Sequence, residues 1–172
     1  MSFVIRLEKE NFKFSCSHFT IMGPGQAERL HGHNYYVSLE IQLVDLDSSL
    51  GMAFDFNLVK PLVREITDSY DELVLLPDRS PYLKIEQTQS EYGECVRATF
   101  DGKDKQKRYE FPSEDVKLLP VVNVTSEELA REIGKRLAEK MRSLEGIAKR
   151  VRQISVGVQE TRGQSVSYQL SL

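Results

Sequence analysis

Leu30-His31-Gly32-His33-Asn34-Tyr35-Tyr36-Val37-Ser38-Leu39-Glu40-Ile41-Gln42-Leu43 is the stretch from which the fold is read. Tyr35, Val37, Leu39, Ile41 and Leu43 alternate with Tyr36, Ser38, Glu40 and Gln42, the period of two that marks a half-buried strand. His31 and His33 keep the parity of Tyr35 and Val37, so both imidazoles belong to the apolar face. Upstream, Phe12, Phe14 and Cys16 share one parity, and His18 continues it to the end of a strand. If these two strands pair as a hairpin, all three histidines of the chain gather at one end of its buried face. Three imidazoles, two of them in an H-G-H step, can close on one metal and leave a coordination position open. That is the arrangement of a catalytic zinc site rather than a sealed structural one. A lone H-x-H is more often a turn, but the shared parity and the absence of a fourth histidine favour the metal.

Outward from that hairpin, Phe3, Ile5 and Leu7 occupy the opposite parity to Phe12 and Phe14, which predicts a phase shift or bulge near Glu8 to Asn11. Met22-Gly23-Pro24-Gly25-Gln26 reads as a loop. After a turn at Asp45 to Ser49, Leu58, Val59, Leu62, Val63 and Ile66 fit helical spacing, with Pro61 tolerable in the first turn. Residues 69–81 are expected to form an irregular connection over the core. Residues 82–118 are expected to form a solvated, inserted hairpin, with a strand at Val96, Ala98 and Phe100, a tip at Asp101-Gly102 and a return at Arg108 to Phe111. Thr125-Ser126-Glu127-Glu128 is a capping box that starts a second helix. Its stripe of Leu129, Ile133, Leu137, Met141 and Leu144 has Ala130, Gly134 and Ala138 along one edge. Two strands close the chain, one through Ile154, Val156 and Val158, the other through Val166, Tyr168 and Leu170. The prediction is a single α+β domain over residues 1–172. It has a four-stranded antiparallel sheet with two helices on one face, in the order β-β-α-α-β-β, and the insertion lies between the helices. Glu160 continues the apolar parity of Val158, a costly place for a carboxylate unless it has a partner.

Composition narrows the function classes. With 172 residues, 40 % hydrophobic and 28 % charged, the chain can bury an ordinary core. A net charge of -3 gives no global attraction to nucleic acid or an anionic membrane, so neither is expected as a partner. Two cysteines are too few for a disulfide framework, and no apolar run suggests a leader or a membrane span; a cytoplasmic setting is expected.

The motif F-S-x-S-H at Phe14 to His18, followed by L-H-G-H-N-Y and an alternating strand, resembles the 6-pyruvoyl-tetrahydropterin synthase family. That family includes the 6-carboxytetrahydropterin synthases of deazapurine biosynthesis. The likeness extends to G-M-x-x-D-F at Gly51 to Phe56, T-S-E-E at Thr125 and V-x-E-T at Val158 to Thr161. The insertion, with F-P-x-x-D at Phe111 to Asp115 and L-P at Leu119-Pro120, resembles a branch best known from malaria parasites. The resemblance implies a tunnelling fold in which trimers close their sheets into a barrel and stack as hexamers. It implies zinc on His18, His31 and His33, and a pterin triphosphate substrate, 7,8-dihydroneopterin triphosphate. Glu160 matches a pterin anchor, and Thr125, Ser126 and Glu127 match a segment at the pterin edge. As a cap, Thr125 is equally well explained by its helix.

Two departures bear on the reaction. The family's usual base is a cysteine four residues before the H-G-H step, where this chain has Ala27. Glu28 stands next to it, as in the branch where glutamate replaces the cysteine and the product shifts toward 6-hydroxymethyl-7,8-dihydropterin. A carboxylate in that role is expected to have its basicity tuned by burial. The family's L-D-H dyad is Tyr70-Asp71-Glu72 here, so Glu72 is either a carboxylate relay or the mark of altered activity. For the triphosphate, Arg29 and Arg162 are near in sequence, while Lys107 or Arg108 could reach a neighbouring subunit; each is equally readable as a surface charge.

Overall fold

The computed structural model describes residues 3–91 and 93–172. The strands, in chain order, begin with β1 (Val4–Leu7), β2 (Lys13–His18), β3 (Ile21–Gly23), β4 (Gln26–Ala27) and β5 (His31–Leu43). Helix α1 (Lys60–Asp68) leads to β6 (Leu73–Pro77), and the insertion supplies β7 (Leu83–Ser90), β8 (Gly93–Asp101) and β9 (Gln106–Pro112). Then come β10 (Val116–Leu119), α2 (Ser126–Arg142), the short α3 (Glu145–Ala148), β11 (Val151–Thr161) and β12 (Gln164–Ser171).

The expected α+β fold is present, and its antiparallel set of four is β2, β5, β11 and β12. That set is extended to seven strands: β1 pairs the far half of β5, while β6 and β10 add a parallel pair outside β2. The phase shift predicted after Leu7 is real. Leu7 lies opposite Leu39 and Lys13 opposite Tyr36, so five residues of one strand span two of the other. Residues 73–77 overturn the expectation of an irregular connection. Leu73-Val74-Leu75-Leu76-Pro77 is a strand parallel to β2, and a parallel strand covered on both sides shows an unbroken apolar run instead of alternation.

Both main helices lie on one face. Val63 and Ile66 of α1, and Leu129, Ile133, Leu137 and Met141 of α2, are buried with Phe14, Tyr35, Leu39, Ile41, Val156 and Val158 in one core. Thr125 caps α2 by accepting from the Glu128 N–H at 3.4 Å, but the Glu128 carboxylate takes the Arg131 guanidinium, so only half of the capping box forms. At Gly134 the helix comes so close to β12 that a Cβ would lie 3.0 Å from the Tyr168 ring.

The insertion is a three-stranded antiparallel sheet, β7-β8-β9, rather than a bare hairpin. The predicted tip and return strand are there. The sheet also buries its own cluster of Phe19, Ile21, Leu76, Leu83, Val96, Ala98 and Phe100, which a fully solvated excursion would not have.

Candidate functional site

Register assembles the site. Antiparallel pairing sets His18 opposite His31 and Cys16 opposite His33 on the helix-covered face. The ring centroids of His18 and His31 are 4.8 Å apart, and those of His31 and His33 also 4.8 Å. One ligating nitrogen from each of the three lies within 4.8 Å of the others. Nδ1 of His18 is 3.1 Å from the Val124 carbonyl, and Nδ1 of His31 is 2.7 Å from the Arg29 carbonyl. A carbonyl can only accept, so each Nδ1 carries the proton and leaves Nε2 as a ligand, the orientation metal-binding histidines use. Burial pushes the His18 pKa down, which keeps that ring neutral near neutral pH.

Tyr35 is a member of the site that its strand parity presented only as core. Its hydroxyl is 2.6 Å from Glu160 Oε1 and 3.0 Å from His18 Nε2. It has one proton to give, and the carboxylate is the stronger acceptor. That leaves a phenol lone pair facing an imidazole lone pair, a contact that a cation on Nε2 relieves. Glu160 Oε1 is also 3.4 Å from His18 Nε2 and 3.5 Å from His33 Nε2. With His18 neutral, its contact with Glu160 is polar and not an ion pair. Three imidazoles with an adjacent carboxylate fit a divalent ion.

Glu160 joins this cluster to a cleft of about 440 Å³ that Thr20, Thr125, Ser126 and Glu127 also line. All four residues matched to the pterin segment therefore face one cavity. A larger hollow of about 520 Å³, lined by Phe3, Met52, Phe54 and Phe56, lies at the Leu43 end of β5, remote from the histidines, and is chiefly apolar.

Glu28 lies between β4 and β5, held against Thr20 by two bonds. The Glu28 N–H donates to the Thr20 carbonyl at 2.9 Å, and Glu28 Oε2 accepts from the Thr20 N–H at 3.1 Å. The side chain is exposed, and the small upward push from burial is outweighed. Hydrogen bonding from Thr20 holds its carboxyl below the usual range, with His31 and His18 adding to the effect. Cys16 offers no thiolate in its place: burial, then Glu160 and Asp71, push its thiol up to about 12.

Asp71 and Glu72 are not brought to the histidines within one chain. They line a separate groove with Lys13, Ser15, Asn34 and Tyr36, the residues of β2 and β5 that point away from the helices. Asp71 Oδ1 accepts from the Ser15 N–H at 2.6 Å, and the Glu72 N–H donates to the Ser15 carbonyl at 2.7 Å. Glu72 has φ +59°, a left-handed conformation uncommon for a residue with a Cβ. Of the basic residues considered for phosphate, Lys107 does not await a neighbour; its ammonium bonds the Ala27 and Glu28 carbonyls of its own chain.

Fold and site together are those of a small-molecule enzyme with a cleft beside a cluster of three histidines. The model of the family "6-pyruvoyl tetrahydropterin synthase" matches residues 6–171. A Methanocaldococcus jannaschii protein provisionally named 6-carboxy-5,6,7,8-tetrahydropterin synthase is 30% identical over 156 residues, covering 91% of this chain and 88% of that one. Plasmodium vivax 6-pyruvoyltetrahydropterin synthase matches in structure with a TM-score of 0.88 and 27% identity, covering 100% of this chain and 99% of that one. A variant of the P. vivax protein with a catalytic glutamate changed to alanine gives 0.88 at 26% identity, covering 100% and 99%. The chain belongs to the 6-pyruvoyl tetrahydropterin synthase family, whose members are lyase-type enzymes of pterin chemistry.

Proposed function

We propose that this protein is a zinc-dependent lyase acting on 7,8-dihydroneopterin triphosphate, eliminating or cleaving its side chain to give 6-hydroxymethyl-7,8-dihydropterin or 6-pyruvoyl-tetrahydropterin. The observation that carries this reading is the convergence of His18, His31, His33 and Glu160 beside a cleft that Glu160 lines, with Glu28 close enough for the charges of His31 and His18 to act on its carboxyl. Zinc on the three imidazoles would supply Lewis acidity toward the substrate's side-chain hydroxyls. Glu160 accepts paired N–H groups of the pterin while Tyr35 orients it, and Thr125, Ser126 and Glu127 border the ring. Glu28 takes the side-chain proton; the catalytic glutamate of the P. vivax relative supports a carboxylate in that role. An exposed carboxylate with a lowered pKa is a weak base, so substrate must cover it and restore its basicity.

Asp71 and Glu72 can act as a relay only if a second copy delivers them. A homotrimer or hexamer would do so, and the two outer strands of the main sheet, β10 and β12, are placed to pair with neighbours. A second reading, formation of 6-carboxytetrahydropterin, is favoured by the names of the archaeal relatives. A pterin-binding protein without turnover is the third, favoured by Glu72 where the family's dyad has histidine.

The test is to incubate zinc-loaded protein with dihydroneopterin triphosphate and identify products by mass. The expected product has lost the triphosphate, by elimination or together with part of the side chain, and Glu28→Ala lowers its formation by about a hundredfold or more. A 6-carboxy product supports the second reading, whereas pterin binding without turnover overturns the lyase.

A further inference from the structure

Lys107 lies on β9 of the inserted sheet, yet its side chain ends at the chain segment that carries Glu28. Its Nζ donates to the Ala27 carbonyl at 2.6 Å and to the Glu28 carbonyl at 2.8 Å. Those two oxygens belong to the peptide planes on either side of the Glu28 Cα. Holding both planes sets the Glu28 backbone dihedrals, and with them the direction in which its carboxylate leaves the chain.

The segment needs such support. β3 and β4 form a ribbon with pairings only at Ile21–Ala27 and Gly23–Gln26, and so short a hairpin is not stable alone. On one side Asn123 brackets Ile21, accepting from its N–H at 3.0 Å and donating to its carbonyl at 2.8 Å. On the other side the Lys103 N–H donates to the Gly25 carbonyl at 3.0 Å. The approach is so close that a Cβ on Gly25 would lie 2.8 Å from the Lys103 side chain. Ala27, Leu30 and Tyr109 pack together on the insertion's apolar cluster.

We propose that the inserted sheet is part of the candidate site and that Lys107 is a positioning residue, fixing the turn that aims Glu28 toward His31 and His18. This rests on the reading of Glu28 as the base. Lys107 touches the backbone, not the reacting atoms, so its effect on turnover must pass through Glu28.

The experiment uses the full-length, zinc-loaded protein with Lys107→Met and Lys107→Arg, assayed on dihydroneopterin triphosphate and by amide hydrogen exchange. Lys107→Met should lower kcat by about tenfold or more, as for displacement of a reacting group by a fraction of an ångström, with KM changed by less than about twofold. Lys107→Arg should recover most of that loss, since a guanidinium can still donate to both carbonyls. In a Glu28→Ala background, Lys107→Met should cost nothing further. Amides of residues 25–29 should exchange faster in Lys107→Met, with β2 and β5 unchanged. If Lys107→Met melts as a whole, Lys107→Gln carries the same comparisons. Unaltered exchange at residues 25–29, losses that multiply in the double variant, or full turnover by Glu28→Ala each overturn the proposal. If wild-type protein turns over nothing while Lys107→Met still loosens residues 25–29, the clamp stands and the proposed reaction falls.

Discussion

Tyr35 has one proton and two polar neighbours, Glu160 Oε1 and His18 Nε2. Its removal separates the two halves of the site. Tyr35→Phe keeps the ring that stacks on Phe14 at 5.1 Å and deletes only the hydroxyl. A hydrogen bond to a charged group contributes about 1.5–3 kcal/mol, so pterin affinity, followed by fluorescence titration, should fall by roughly tenfold or more. Metal stoichiometry should stay at the wild-type value, because no imidazole is touched. At this scale the sequence was generous with ligands and poor in roles. His18, His31 and His33 could be placed by parity because the strand period is two. Tyr35 has the same parity and reads as core, since periodicity marks which face a side chain occupies and not what its polar tip meets. Asp71 and Glu72 could be named but not located, because their position depends on a parallel strand with no alternating signature.

Elements differ in how openly they announce themselves. β5, β11 and α2 carry period-two or period-3.6 patterns, and each occurs where those patterns put it. β6 is a continuous apolar run ending in Pro77, and β7 alternates Leu83 and Ile85 with polar residues and then turns polar throughout, so neither stood out. The turn after β5 is built on side-chain bonds that no periodicity reveals. Asp47 accepts from the Ser49 hydroxyl and N–H, from the Leu50 N–H and from Arg150, which together hold its carboxyl down at about 2. Its unfolded-state value is near 3.8. The folded form therefore binds that proton less readily, and the turn's contribution is complete above the unfolded value and lost as pH falls toward 2. Asp47→Asn should melt below wild type at pH 6, measured by circular dichroism. That gap should close between about pH 4 and the folded-state value.

Across the whole molecule, the three histidines join the ends of two strands that pair at the centre of the seven-stranded sheet. An ion bound there stabilises only the folded chain. Chelation should lower the calorimetric melting midpoint of wild-type protein, and His33→Ala should abolish the difference between metal-loaded and chelated samples. If chelator leaves the wild-type midpoint unmoved, the histidines hold no ion. The pairing of β6 with β10 has a consequence for how this chain can vary. The two strands are parallel, with Val116 opposite Val74 and Leu119 opposite Pro77. Chain that leaves one such strand must travel back its full length to begin the other, and no tight turn allows this; a crossover takes roughly a dozen residues. The inserted sheet is that return journey, built from strands where a helix would be usual. Trimming it to a short loop would strip β10 from the sheet edge as well. The crossover, the outer strand and the Lys107 contact are therefore kept or lost together.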